Sequence, residues 1–343
     1  MQVIDFKCPN CGSDMVYDIE SGMLSCHSCG RTDDIKLMPD PLQRNVFSED
    51  EATEYHCKSC GAVVITDADT TATSCSFCGS VIVLGDRLTG KLAPSLVIPF
   101  SISKEEAMRA FRKWCRNGRL TPNGFMTADR VKGITGMYVP FWLYELNNAV
   151  EVHAHGTRVS TYTKGDYRYT ETQHFDVYRK IRLNYVDVPI DASEKMNDEL
   201  MDKLEPFPYD QIKSFKTAYL AGYVAEKYNF DEKELFPRAK SKIHPFIEEY
   251  IRSTMTQYTT VNYTNKQIDT KLGHAEYALL PVWVLHYDYN KLEYTFAMNG
   301  QTGKVVGKPP ISKSKVMAWF AGISASCFLS LKLISWMMGG GFW

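Results

Sequence analysis

Apolar residues recur along this chain with two periods, and the change from one to the other marks its elements. Ala107, Ala110, Phe111, Trp114 and Cys115 recur at helical spacing. Ser103-Lys104-Glu105-Glu106 precedes them as a capping box, with Glu106 placed to reach back to Ser103, and Gly118 predicts the stop. From Tyr138-Val139-Pro140-Phe141-Trp142-Leu143-Tyr144 onward the pattern alternates. It predicts strands over 150–155, 160–163, 167–173 and 177–188. A helical section follows. Met196, Leu200 and Leu204 lie four apart, Ile212, Phe215, Tyr219, Leu220 and Val224 predict a second helix, and residues from Asp231 to about Thr259 a third, interrupted by Pro237 and Pro245. Strand pattern returns over 276–287 and 291–298, before a turn at Asn299-Gly300-Gln301-Thr302-Gly303. Pro140-Phe141-Trp142 and Pro281-Val282-Trp283 stand at matching places, each after a helix and at the start of strands. This predicts a duplicated helix-plus-sheet unit. The expected class is α+β with largely antiparallel strands, over a core domain of residues 95–310.

Both ends of the chain read differently. Residues 15–24 predict two short strands about a Ser21-Gly22 turn. Residues 62–66 and 70–74 repeat that plan around Asp67-Ala68-Asp69, with further strands expected over 35–37 and 81–84. Residues 39–54 are acidic with two prolines and read as a linker between two small β domains, 1–38 and 55–85. At the far end, residues 316–338 carry a single charge, Lys332. At about 1.5 Å per residue this stretch runs ~35 Å, enough to cross a bilayer core. Trp319, Phe320 and Trp336 stand near its ends, as interfacial aromatics do. Lys304, Lys308, Lys313 and Lys315 precede it and favour a single span with the N-terminal bulk in the cytoplasm of the cell. A buried or surface helix is the alternative, and four serines make the stretch only modestly apolar.

The chemistry concentrates in eight cysteines. Cys8-Pro-Asn-Cys11 is followed, after fourteen residues, by Cys26-His-Ser-Cys29. Cys57-Lys-Ser-Cys60 is followed, after another fourteen, by Cys75-Ser-Phe-Cys78. A glycine follows each pair: Gly12, Gly30, Gly61 and Gly79. Each Cys-x-x-Cys sets two sulfurs on one tight turn, and two such turns close a four-thiolate site around Zn²⁺. Each ladder therefore reads as a zinc ribbon, giving two zinc ions per chain. Four thiolates leave no open coordination position, so the ions are structural. Hairpins this small bury little, and the metal supplies much of their stability. A disulfide framework is the alternative. Paired Cys-x-x-Cys spacing, with no apolar run ahead of Lys7 and Cys8, favours zinc in a reducing compartment. His27 and His56 are surplus to a filled set, and Cys115 and Cys327 read as buried apolar residues rather than reactive thiols.

Charge narrows the reading further. The whole chain has a net charge of −1, but residues 1–92 hold seven Lys/Arg against fourteen Asp/Glu. An acidic ribbon pair is a poor holder of nucleic acid, which needs clustered positive charge. There is no GxxxxGK[ST] phosphate loop, no HExxH and no GxSxG, so no enzyme activity and no small-molecule substrate is expected. Glu151, His153 and His155 would share one face of a strand. A second kind of metal site there is conceivable, but alternating polar residues on a strand usually mean a solvated face.

Taken together, CPNCG, CHSCG, CKSCG and CSFCG, Val97-Ile98-Pro99-Phe100, Gly136-Met137-Tyr138-Val139-Pro140-Phe141-Trp142, Tyr219-Leu220-Ala221-Gly222, Leu280-Pro281-Val282-Trp283 and Asn299-Gly300-Gln301-Thr302-Gly303-Lys304 resemble the bacterial TFIIB-type zinc-ribbon membrane proteins of Gram-positive lineages. The resemblance covers nearly the whole chain. Such proteins are often labelled primosomal helicases, yet this sequence has no helicase motor. It looks most like members that accompany a PspA-type phage-shock protein and an SPFH-domain protein. The resemblance implies a membrane-anchored, non-enzymatic adaptor that helps place such partners at the membrane during envelope stress. The alternative is a nucleic-acid-binding ribbon protein tethered to the membrane. The eight ladder cysteines are the functional positions it implies.

Overall fold

The computed structural model of the 343-residue chain describes residues 3–4, 6–37, 53–59, 63–66, 70–74, 80–84, 93–116, 120–122, 125, 133–289 and 292–337. In chain order the elements are strands β1 (Val3–Ile4), β2 (Val16–Asp18), β3 (Met23–Ser25), β4 (Thr32–Asp33), β5 (Thr53–His56), β6 (Val63–Thr66), β7 (Thr70–Ser74), β8 (Val81–Leu84) and β9 (Leu96–Val97). Helix α1 (Lys104–Arg116) then leads to β10 (Thr135–Lys164) and β11 (Tyr167–Asp191). After α2 (Asp198–Leu204) come β12 (Lys213–Ser214), β13 (Val224–Glu226) and α3 (Glu232–Ser253). The last elements are β14 (Thr260–Tyr289), β15 (Leu292–Asn299), β16 (Val305–Gly307) and α4 (Lys313–Met337). The class is mixed α+β, as the sequence predicts, and the chain forms two compact units.

The first unit comprises Met1–Pro99, Tyr138–Asp198 and Tyr209–Leu280. Its main sheet runs β1-β8-β7-β13-β10-β14, with β11 on β10 and the short β9 parallel to β14. From Leu146 to Gly156 every second residue of β10 is buried, the period of a sheet with one covered face. Helix α3 packs on β11 and buries Ala239, Ile243, Ile247 and Ile251. Two of its side chains also hold the end of β11: Lys242 Nζ donates to the Pro189 carbonyl at 2.7 Å and Arg238 Nη1 to the Asp191 carbonyl at 3.3 Å. Asp231 and Glu234 form a reciprocal capping box at its start, and Pro237 and Pro245 are carried inside the helix. Beyond Gly156 the β10–β11 hairpin continues to its tip at Gly165 with residues 158–174 exposed, Tyr162 stacked on Tyr169 at 5.4 Å.

The second unit comprises Phe100–Met137, Glu199–Pro208 and Pro281–Trp343. Here the C-terminal part of β14 pairs with β15, and β15 with β16. Ala107 and Phe111 bury the inner side of α1, and Phe111, Trp114 and Phe125 set their rings 6.3, 4.8 and 6.1 Å from that of Phe296. Trp283 Nε1 donates to the Ile102 carbonyl, just before the Ser103–Glu106 capping box. At the foot of α4, Ser312 N donates to the Leu120 carbonyl at 2.8 Å and Lys315 Nζ to the Thr121 carbonyl at 2.6 Å. Above that foot, residues 316–334 of α4 are exposed, and Lys313–Ile334 has a mean hydropathy of 1.6. Among the described residues this is one helix long and apolar enough to cross a membrane.

Three expected elements take another form. The stretch 212–224 is not an α-helix but β12, one 3₁₀ turn (Thr217–Leu220) and β13. Its Ala218, Tyr219, Leu220 and Ala221 are buried by tertiary contacts rather than on an α-helix face, Ile212, Phe215 and Val224 are half-buried, and Gly222 turns the chain with φ of +93°. Residues 35–37 form a 3₁₀ turn, and the third strand of that hairpin is β4. The strands near 62–66 and 70–74 do not pair with each other among the described residues. β6 pairs with β5, whereas β7 pairs with β8 and β13 of the main sheet.

Candidate metal centre

The two halves of the first ladder are built alike. Gly12 N donates to the Cys8 carbonyl and Cys8 N to the Ser13 carbonyl, both at 2.8 Å. Gly30 N donates to the Cys26 carbonyl at 2.9 Å and Cys26 N to the Arg31 carbonyl at 2.8 Å. Gly12 and Gly30 close these turns with φ of +73° and +76°, a region that disfavours any side chain. The antiparallel strands β2, β3 and β4 hold the turns together. A bridge between Lys7 and Asp14, backed by their ion pair, fixes the first knuckle.

The result is convergence of four sulfurs. Cys8 Sγ lies 3.5 Å from Cys29 Sγ, and Cys11 Sγ 3.5 Å from Cys26 Sγ, with all four atoms within 4.8 Å of one another. Zn–S bonds of about 2.3 Å in a tetrahedron separate the sulfurs by about 3.8 Å, so the set fits a tetrahedral thiophilic ion such as Zn²⁺. Cys8 and Cys26 are buried, while Cys11 and Cys29 face solvent. The backbone N–H and side chain of Ser13 hold the Cys11 thiol down at about 6. The backbone N–H of Arg31, followed by the Asn10 side chain, lowers that of Cys29. Both shifts favour the thiolate, the form that binds metal. His27 is exposed beside the centre.

This centre does not hang free of its unit. Tyr17 meets Tyr219 edge to face at 5.4 Å, and Tyr17 N donates to the Ala221 carbonyl at 3.1 Å. Lys216 Nζ donates to the carbonyls of Ile35 and Lys36, at 2.8 and 2.9 Å. A Cβ on Gly222 would lie 3.5 Å from Val16. The segment predicted as a helix over 212–224 is thus the seat of the first ribbon. Of the second ladder, Cys57 is buried, and Cys60, Cys75 and Cys78 lie outside the described residues.

Glu151, His153 and His155 do share the exposed face of β10, and each has a partner directly across on β11. Glu151 pairs with Lys180 at 2.9 Å, the His153 ring lies 4.8 Å from that of Tyr178, and His155 Nδ1 is 2.7 Å from Asp176. These are cross-strand pairs of a solvated face.

One polar cluster has no signal in the sequence. Asp191 is 1% exposed; its Oδ1 accepts from Ser193 N at 3.1 Å, and its Oδ2 has no hydrogen-bond partner among the described residues. Ser193 Oγ donates in turn to Glu226, which is also buried, and Lys195 lies 3.8 Å from that carboxylate. Arg238 bridges nearby to Asp198 at 2.9 Å.

The structure therefore defines a mixed α+β protein with a four-cysteine cluster that fits a metal ion and, among the described residues, one helix long and apolar enough to cross a membrane. The chain belongs to the same family as the Bacillus subtilis (strain 168) protein named Uncharacterized protein YdjG. It is 62% identical to that relative over 340 residues, spanning 99% of this chain and 100% of the relative. No family model matches the chain, and no solved structure matches it.

Proposed function

We propose that this protein is a membrane-anchored, non-enzymatic adaptor. It carries two structural zinc ions and helps place PspA-type and SPFH-domain partners at the membrane in envelope stress. The observation that carries this reading is the pairing of a closed four-cysteine centre with a terminal apolar helix on one chain. A metal held by Cys8, Cys11, Cys26 and Cys29 has no ligand position left for a substrate, and would stiffen a surface instead. The matching spacing of Cys57, Cys60, Cys75 and Cys78 supports a second such ion. The test is affinity isolation of the full chain from cross-linked membranes of its own host. PspA-type and SPFH-domain proteins should be enriched with the full chain and lost when residues 1–92 are removed. Recovery of neither above a control carrying only residues 304–343 would overturn the adaptor reading.

We also infer an internal duplication of a strand–helix–hairpin unit, and several paired observations support it. Trp142 Nε1 donates to the Phe230 carbonyl before the Asp231–Glu234 box, as Trp283 Nε1 does to Ile102 before the Ser103–Glu106 box. Ala192 N donates to the Pro140 carbonyl and Gly300 N to that of Pro281, each at 2.9 Å. β9 lies on β14 and β13 on β10. Each repeat's leading strand and helix thus serve the other repeat's hairpin.

A further inference from the structure

The two units differ in charge far more than the two ends of the chain. The unit that carries α4 holds fifteen Lys/Arg against eight Asp/Glu, a net charge of +7. The other unit holds twenty-four against thirty-two, a net charge of −8. Within the basic unit the excess has an address. The outer side of α1 exposes Arg109, Arg112 and Lys113, while its inner side is fixed by Phe111 and Trp114 on Phe296. Arg109 lies 3.9 Å from Glu106, and neither Arg112 nor Lys113 pairs with a carboxylate among the described residues. Lys308 and Lys313 are exposed on the stretch entering α4, with Lys308 only 3.8 Å from Glu199 yet 84% exposed.

The position of this surface follows from chain length. Three residues separate Arg116, the end of α1, from Leu120, so four Cα–Cα steps keep the two Cα atoms within about 14 Å. Leu120 and Thr121 are the residues whose carbonyls hold the foot of α4. The basic end of α1 is therefore tethered at the point where the apolar helix begins. Anionic headgroups attract such cations over about a Debye length, roughly 8 Å at physiological salt.

We infer that the outer side of α1, together with Lys308 and Lys313, is a docking surface for anionic phospholipid headgroups of the leaflet that α4 enters. This rests on α4 lying in a bilayer. Nucleic-acid phosphates have similar chemistry, but the chain as a whole has a net charge of −1, which offers a long polyanion no general attraction. Lipid phosphates are the ones that α4 brings to this surface.

The experiment uses the full chain reconstituted in phosphatidylcholine vesicles, with or without about 30 mol % phosphatidylglycerol. Acylation of lysines by a water-soluble reagent is followed site by site by mass spectrometry. Lys113 and Lys308 should react at least about threefold more slowly in the anionic vesicles, and about 0.5 M salt should remove the difference. Lys240, in the other unit, should react alike in both. An R109E/R112E chain should float with the vesicles as the parent does but lose the protection. Equal rates at Lys113 and Lys308 in a protein that floats would overturn the docking surface and leave the anchor standing. A chain that floats with neither vesicle would overturn both. Protection of the same lysines by duplex DNA, with none from phosphatidylglycerol, would overturn the inference in favour of a nucleic-acid surface.

Discussion

Asp191 ends the β10–β11 hairpin and Asn299 the β14–β15 hairpin, and their difference isolates what one atom costs. Asn299 Oδ1 accepts from Gln301 N and Thr302 N, and its amide nitrogen donates to the carbonyls of Leu204 and Pro206. Asp191 repeats the accepting half through Ser193 N, but its second oxygen has no proton to donate when ionised. Burial pushes its carboxyl up to about 7, and the Asp198 carboxylate beside it adds to the effect. The sign follows from linkage. A carboxyl raised from 3.8 to about 7 contributes fully below pH 4, and the contribution is lost as pH rises to 7. Asp191→Asn should match the parent in stability at pH 4. Its advantage should grow between pH 4 and 7, towards a ceiling of about 4 kcal/mol, and stay flat above. Thermal unfolding of both chains over that range checks it, and a difference that does not change with pH would refute the buried neutral acid. The first ladder's Cys8, Cys11, Cys26 and Cys29 were legible in the sequence because spacing alone specifies a knuckle. Asp191 was not, because its isolation depends on Asp198, Glu226 and Arg238 from other elements.

At the scale of elements, legibility followed how much of the pattern is local. The Ser103–Glu106 capping box can be read from four consecutive residues and forms as expected; the Asp231–Glu234 box of α3 is as local, and the structure adds it. The first half of β14 could not be read, because residues 262–267 are exposed and carry no alternation. The sheet extends there because Thr259 N donates to the Thr157 carbonyl and Thr157 meets Thr260, while Thr270 bonds the buried Asn148 farther along. The stretch 212–224 misled for the opposite reason: Ala218 to Ala221 are real core, but they seat a ribbon and close a turn. The box at Asp231 gives a direct test. Asp231→Ala leaves the N–H groups of Lys233 and Glu234 without their acceptor and should destabilise the start of α3 by about 1 kcal/mol. Hydrogen exchange should then quicken in the first turns of α3 while α1 is unchanged. Faster exchange in α1 as well would mean that the box supports more than its own helix.

For the whole molecule, the proposed metal site and membrane anchor lie on different elements, and their independence can be measured. Deleting residues 314–343 should release the protein from membranes with its zinc intact, and carbonate washing should leave the full chain in the membrane, as for a span. Metal loss should act at the other end. The first ribbon is seated on 216–222 through Tyr17, Val16 and the carbonyls of Ile35 and Lys36. β2, β3 and β4 hold only two or three residues each, too few to keep that seat formed without the cross-link of a tetrahedral ion. Replacing Cys8 and Cys11 by serine should therefore lower bound zinc from about two equivalents per chain to about one. It should also open tryptic cleavage at Lys216, whose Nζ would lose the carbonyls it holds. Membrane retention should not change, because α4 is tied to Leu120 and Thr121 in the other unit. A double variant that keeps both zinc equivalents would refute the first site. One that loses zinc while Lys216 stays protected would show that β2, β3 and β4 hold their seat without the ion.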